Sequence, residues 1–226
     1  MQRLFTTVVD RIRNLNLGEA LRVLDGVVEQ DPERPRSFHR GHVLLSVITL
    51  EPEVGLSRSD LQIILGLGGG SIRSLISRLT MNHLTVASPS GMRLKGLGTK
   101  VKEAVVGTVR GPTEVGLDYL RMDASSVAYL VKNLHVSEGE SVRLRDAVVR
   151  YGGTGATTCS VNGADISVPG VTENLEDTSR VDALALKKLK PSDGDAIFIS
   201  SAPSKAVAAS AGAAALFEFL LERGNS

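Results

Sequence analysis

Ser57-Arg-Ser-Asp60 leads through Leu61-Gln-Ile-Ile-Leu65 into Gly66-Leu-Gly-Gly-Gly70, and Ser71-Ile-Arg-Ser-Leu-Ile-Ser-Arg78 follows at once. Ser57 with Asp60 three residues on has the spacing of a capping box, which starts a helix at Arg58 that runs to about Leu65. The glycines break that helix. Ser71 opens another, with Ile72, Leu75, Ile76 and Leu79 on one face, and Arg73, Ser74, Ser77 and Arg78 largely on the other. Met81-Asn-His83 ends it. Leu84 to Ser88 and Met92 to Leu94 read as two strands, joined through the turn Pro89-Ser-Gly91. Thr99 is expected to cap a further helix through about Val109.

Upstream, residues 4 to 28 read as two short amphipathic helices separated at Leu17-Gly18. Phe5, Val8, Val9 and Ile12 share one face; Leu17, Leu21, Leu24 and Val28 share another. Asp31 to Arg36, with two prolines, reads as a loop, and a third helix spans about Phe38 to Leu50. Helix, capped helix, glycine turn, amphipathic helix and two-stranded hairpin form the order of a winged helix-turn-helix. In that arrangement the second helix of the pair enters the major groove. Arginine there can bind guanine through two hydrogen bonds, and serine can bond a base or a phosphate. The helix start near Gly70-Ser71 offers N–H groups to a phosphate. The hairpin, with Ser90 at its tip and Arg93 and Lys95 beyond, would touch the neighbouring backbone. The expected DNA-binding residues are Arg58, Ser71, Arg73, Ser74, Ser77, Arg78, Ser90, Arg93 and Lys95. A small helical core that binds protein instead of DNA is the alternative.

Charge supports a local contact and excludes a general coat. The 226 residues hold 26 Lys and Arg against 25 Asp and Glu. Residues 1 to 112 carry a balance of +5 and residues 113 to 226 one of −4; within 57 to 110, eight bases face two acids. Such a local field attracts polyanions although the chain as a whole is near neutral. A hydrophobic share of 42% is enough for a packed core. One cysteine, Cys159, excludes a disulfide framework and fits a reducing, cytoplasmic compartment. The most apolar run, Ala206 to Leu221, is shorter than the roughly 20 residues that span a bilayer. No membrane partner is expected.

The segment from Leu65 to Leu79 (Leu-Gly-Leu-Gly-Gly-Gly-Ser-Ile-Arg…), followed by Gly91-Met-Arg-Leu-Lys-Gly-Leu-Gly98, resembles archaeal winged helix-turn-helix regulators with a poorly characterised C-terminal domain. The shared pattern is Leu-Gly-x-Gly-x-Gly-Ser-[Val/Ile]-Arg, then a hairpin ending in Leu-x-x-Gly. The resemblance is specific over about 39 to 105 and weaker over 115 to 222. It implies a transcriptional regulator, usually a dimer, with Ser71, Arg73 and Arg78 facing DNA.

Gly111-Pro112 marks the expected domain boundary. Beyond it, Val127 to Leu134, Val142 to Val149, Ala156 to Val161 and Ile166 to Val168 read as strands. Val181 to Leu189 reads as a helix, Ala196 to Ile199 as a buried strand and Lys205 to Leu221 as a final helix. Two loops suit a small anion. In the first, a strand carrying Arg145 delivers Arg150 to a glycine turn, Gly152-Gly153-Thr154; it is neither a P-loop nor a dinucleotide fingerprint. In the second, Ser200, Ser201, Ser204 and Lys205 lead into a helix N-terminus. A glycine-rich hairpin and ordinary helix capping are the plainer readings of these loops.

Catalytic and metal sites are not expected. His39, His42, His83 and His135 lack ligand spacing, Cys159 reads as a buried small hydrophobe, and Asp193 and Asp195 read as turn residues. No cofactor is called for. Val168-Pro-Gly-Val-Thr-Glu-Asn-Leu175 is loosely similar to a segment of the CTP-dependent riboflavin kinases, yet Val-Thr-Glu-Asn replaces the Thr-Leu-Asn that places metal and nucleotide there. The fold expected is α+β: a helical extension over 1–36, a winged helix-turn-helix over 37–111, and a smaller mixed α/β domain over 112–226 for ligand sensing or assembly. The expected function is a DNA-binding regulator, a homodimer on duplex DNA, whose second domain senses a small anionic metabolite. A riboflavin kinase-like bifunctional regulator is the alternative among enzymes.

Overall fold

The computed structural model describes residues 15–29 and 37–224. The first expected helix and the Asp31 to Arg36 loop lie outside those residues. The described residues form a mixed α and β protein in two compact units, one of residues 15–29, 37–107 and 220–224 and one of residues 108–219.

The first unit is helical. Helix α1 (Leu17–Glu29) contains Leu17 and Gly18, which were expected to precede it. Its Ala20, Leu21, Leu24, Val27 and Val28 are buried. Helix α2 (Arg40–Thr49) follows, and its start is capped by His39. Helix α3 (Arg58–Leu65) begins at the Ser57 box: Ser57 Oγ accepts from the Asp60 N–H at 3.1 Å, and Asp60 Oδ2 accepts from the Ser57 N–H at 3.1 Å. Gly66 ends it in the left-handed region, φ 65°, a conformation that costs glycine nothing.

Helix α4 (Gly69–Met81) starts two residues earlier than Ser71, with Gly68 at its N-cap and no side-chain cap. Glycine is tolerated at that position, so the link between the two helices is three residues, Gly66 to Gly68, rather than five. Strands β1 (Thr85–Ser88) and β2 (Gly91–Leu94) pair antiparallel, and Leu56 bridges to Met92 beside them. A Cβ on Gly91, which has φ 119°, would stand 2.3 Å from the Leu56 carbonyl oxygen, so only glycine fits this crossing. Helix α5 (Leu97–Thr108) also begins before its expected cap; Thr99 is its third residue.

The second unit is a five-stranded antiparallel sheet of order β3-β4-β7-β5-β6. The strands are β3 (Val109–Glu114), β4 (Ser125–Val131), β5 (Gly155–Asn162), β6 (Asp165–Ser167) and β7 (Ala196–Ala202). The helices are α6 (Glu138–Arg150), α7 (Leu175–Thr178), α8 (Arg180–Lys187) and α9 (Lys205–Arg223). One expectation fails here. Val142 to Val149 is helix, not strand: Ser137 and Glu140 form a reciprocal capping box that starts α6. Gly111-Pro112, the expected boundary, falls four residues past the division of the chain between Gly107 and Thr108. It lies inside β3, at a break in the pairing register with β4. Proline is accommodated at such an edge-strand irregularity because it owes no ladder hydrogen bond there.

Both faces of the sheet are covered. Ala128, Leu130, Cys159, Val161, Ile197 and Ile199 point to a core shared with Leu117, Leu120, Leu175, Ala183 and Leu186. Alternate residues point to α9: Tyr129 Oη donates to the Ala209 carbonyl at 2.6 Å. A Cβ on Gly212 would stand 2.8 Å from Ser200 Cβ, so glycine lets α9 lie close to the strands. Buried Asp182 holds the loop before β4, accepting from the N–H groups of Asp118 at 2.8 Å and Leu120 at 2.7 Å. Those two charge-assisted bonds explain how a carboxylate tolerates burial.

Candidate nucleic-acid interface

Helix α4 is two-faced. Ile72, Leu75 and Leu79 are buried, and Gly70, Arg73, Ser74 and Ser77 are exposed together on the other side. The serines are modest donors outward: Ser74 Oγ donates to the Gly70 carbonyl at 3.2 Å, and Ser77 Oγ faces Met81 Sδ at 3.8 Å. Arg73 is the charged group of this face. Ser71 is half-buried at its start. Arg58 is exposed in the first turn of α3, Lys95 just past β2, and Ser90 at the hairpin tip, where its Oγ lies 3.0 Å from Ser88 Oγ.

Two of the nine expected residues are committed elsewhere. Arg78 is half-buried: its Nη1 donates to the carbonyls of Val28 at 3.0 Å and Val27 at 3.4 Å, and its guanidinium sits 5.2 Å from the centre of the Phe38 ring. Orphan carbonyls at the end of α1 thus draw it in, and it leaves the polar face. Arg93 is likewise half-buried, its Nη1 donating to the Pro52 carbonyl at 2.9 Å. Lys102 is held by the Leu50 carbonyl and Glu51. Part of the basic excess over 57–110 is therefore internal bracing. Arg58, Arg73, Lys95 and Arg110 carry the exposed remainder, and Arg110 Nη2 donates to the Lys190 carbonyl at 3.4 Å.

In the two expected anion loops most donors are engaged within the chain. The expected glycine nest follows the C-terminus of a helix, where the dipole opposes an anion. Its donors are also taken: the N–H of Gly152 donates to Val149, that of Gly153 to Val148, and that of Thr154 to Ser201, all at 2.8–3.0 Å. Arg150 pairs with Glu218 at 3.1 Å and Arg145 with Asp146 at 3.0 Å. In the second loop, Ser200 and Ser201 are buried in β7, and Ser201 Oγ lies 2.9 Å from Ser126 Oγ. Ser204 Oγ accepts from the Val207 N–H at 3.4 Å, and Lys205 pairs with Glu114 at 2.9 Å. Ser200 Oγ is buried without a hydrogen-bond partner.

Other reactive side chains are equally occupied. Burial pushes the Cys159 thiol up to about 12, with the charge of Asp182 adding to it, so no thiolate nucleophile is available near neutrality. Asn174, in the kinase-like segment, caps α7 by accepting from the Glu176 N–H at 3.0 Å. Asp193 accepts from Gly163, and Asp195 from Asn133 and Ser192. Among the described residues no three His, Cys, Asp or Glu side chains are grouped to hold a metal, and no helix is long and apolar enough to cross a membrane.

A family model described as a domain of unknown function, DUF4443, matches residues 122–219. The solved structure of hypothetical protein PH0730 from Pyrococcus horikoshii OT3 is similar to the chain: TM-score 0.63 and 24% identity, over 81% of this chain and 92% of that one. At that identity the likeness concerns the fold alone. No curated protein matches the chain. These findings fit an uncharacterised protein family with an archaeal member.

Proposed function

We propose that residues 37–107 act as a winged helix-turn-helix that binds duplex DNA, and that the chain is a transcriptional regulator. One observation carries this reading. Helix α4 buries Ile72, Leu75 and Leu79 against its own unit and leaves Arg73, Ser74 and Ser77 outward, between a box-capped helix and a two-stranded hairpin. A helix so mounted fits a major groove, with Arg73 at guanine and the serines at bases or phosphates. The bracing of Arg93 by Pro52 assigns the hairpin a lesser part. Lys95 is its charged contribution.

The second unit then serves assembly or sensing. A sensed metabolite would have to bind two arrangements of the regulator with different affinity. The loops at Gly152 to Thr154 and Ser200 to Lys205 offer it few free donors, since most of theirs are engaged within the chain. Selection of genomic fragments by the full chain, followed by gel shifts with Arg73→Ala, tests the DNA reading.

A second reading rests on Ile63, 77% exposed on α3, and Met81, 65% exposed at the end of α4. A protein-binding module would cover such side chains, and it predicts a stable protein partner with no retained DNA.

A further inference from the structure

Helix α6 presents Val142, Arg145, Asp146 and Val149 to solvent, opposite its buried Leu144, Ala147 and Val148. Val142 is 44% exposed and Val149 51%. The two valines are one heptad apart, with an adjacent cation and anion midway between them. Beside this face runs a groove of about 570 Å³ lined by Met122, Arg145, Asp146, Val149, Thr154 and Gly155. Met122, itself 45% exposed, lies across Gly155. The face therefore combines apolar ends, a neutral charge pair at its centre and a flanking apolar trough.

We propose that this face is a two-fold contact between two copies of the chain, with the α6 helices antiparallel about a centre between Arg145 and Asp146. The pattern is self-complementary under that operation. It sets Arg145 opposite the partner's Asp146 and Val142 opposite the partner's Val149, and each of these contacts occurs twice, as an isologous interface requires. The groove at Met122 and Val149 then receives the partner's Val142. A partner of different sequence gives no reason for an adjacent plus and minus centred between two equal apolar ends. A second copy does.

Exposed ion pairs add little binding energy but fix register and exclude wrong pairings. Here they select the antiparallel alignment, and the valines with Met122 supply the apolar burial. Thirteen residues make a helix roughly 20 Å long. Stable interfaces bury about 800 Å² on each partner, so the trough beside α6 belongs to the contact as much as the helix does.

Sedimentation of the full chain without DNA tests the inference, and its result is independent of the DNA reading. The native chain is expected to be a dimer. Arg145→Asp places two carboxylates opposite each other, and Asp146→Arg places two guanidiniums opposite each other. Each variant alone is therefore expected to sediment as a monomer with its circular dichroism unchanged. Mixed together, the two variants are expected to form a heterodimer, because each then meets its opposite; Arg145→Asp with Asp146→Arg in one chain restores the homodimer. If either reversal fails to fold, Val142→Glu probes the same face and is expected to be monomeric. A monomeric native chain, single reversals that remain dimeric, or a mixture that stays monomeric would each overturn the proposal.

Discussion

Arg78 Nη1 donates to the Val28 carbonyl at 3.0 Å, across fifty residues of sequence. The contact turns an arginine of the α4 segment into a brace for the end of α1, and it separates two kinds of basic residue that the sequence shows side by side. Arg78→Ala is expected to cost about 1–3 kcal/mol, the loss of a charge-assisted bond and of the Phe38 contact. Arg73→Ala, on the exposed face, is expected to change stability by less than about 0.5 kcal/mol. Urea unfolding of both variants separates them. Equal loss in both would contradict the assignment.

Two glycines predict opposite outcomes. A Cβ on Gly212 would lie 2.8 Å from Ser200 Cβ and 2.9 Å from the Tyr129 ring, whereas Gly26 in α1 has nothing within 4 Å. Gly212→Ala should destabilise by about 1–3 kcal/mol through overpacking. Gly26→Ala should stabilise by about 0.5–1 kcal/mol, since alanine loses less backbone entropy in a helix. Thermal melts of the two variants, one lower and one higher than the native chain, are the expected result.

The start of α2 is sensitive to pH. His39 Nδ1 accepts from the Gly41 N–H at 3.2 Å, and His42 Nδ1 accepts from the His39 N–H at 3.1 Å. Burial pushes His39 from 6.5 down to about 3, with His42 adding, and pushes His42 down to about 4. Below about pH 6.5 the unfolded chain takes up protons that the folded chain refuses. Stability is therefore full above that pH and falls as pH drops towards 4 and then 3. Every tenfold drop in a group's proton affinity on folding is worth about 1.4 kcal/mol, so the fall is of the order of several kcal/mol. His42→Gln keeps an acceptor without a titrating ring; with His39 still titrating, it should make the fall of unfolding free energy between about pH 7 and pH 4 shallower without abolishing it.

Cys159 is expected to resist thiol reagents in the folded chain. It is wholly buried in β5, with its pKa raised to about 12. Labelling should follow the unfolding curve in urea. Rapid labelling without denaturant would contradict its placement.

Local signals in the sequence place several elements and miss others. The Ser57–Asp60 box, the periodicity of Ile72, Leu75 and Leu79, and the Pro89-Ser90-Gly91 turn each act within a few residues; α3 and the hairpin sit where those signals put them, and α4 differs by a start two residues earlier. The sequence also holds the signal that corrects α6. Ser137 with Glu140 is a second capping box, but Val142, Val148 and Val149 read as strand formers and outweigh it. Gly111-Pro112 reads as punctuation because nothing local shows that its neighbours pair with β4. The bracing of Arg78 by Val28 and of Arg93 by Pro52 depends on residues about forty to fifty positions away. No local pattern carries that information, and it decides which bases face outward.

The central claim is that the outward face of α4 reads DNA. Its most direct test is a binding titration of the full chain on genomic fragments retained by selection, repeated with Arg73→Ala and across salt concentrations. A retained fragment, affinity that falls steeply with salt, and a loss of about 1–3 kcal/mol for Arg73→Ala are expected. Selection that retains no fragment, or Arg73→Ala binding as tightly as the native chain, would contradict it.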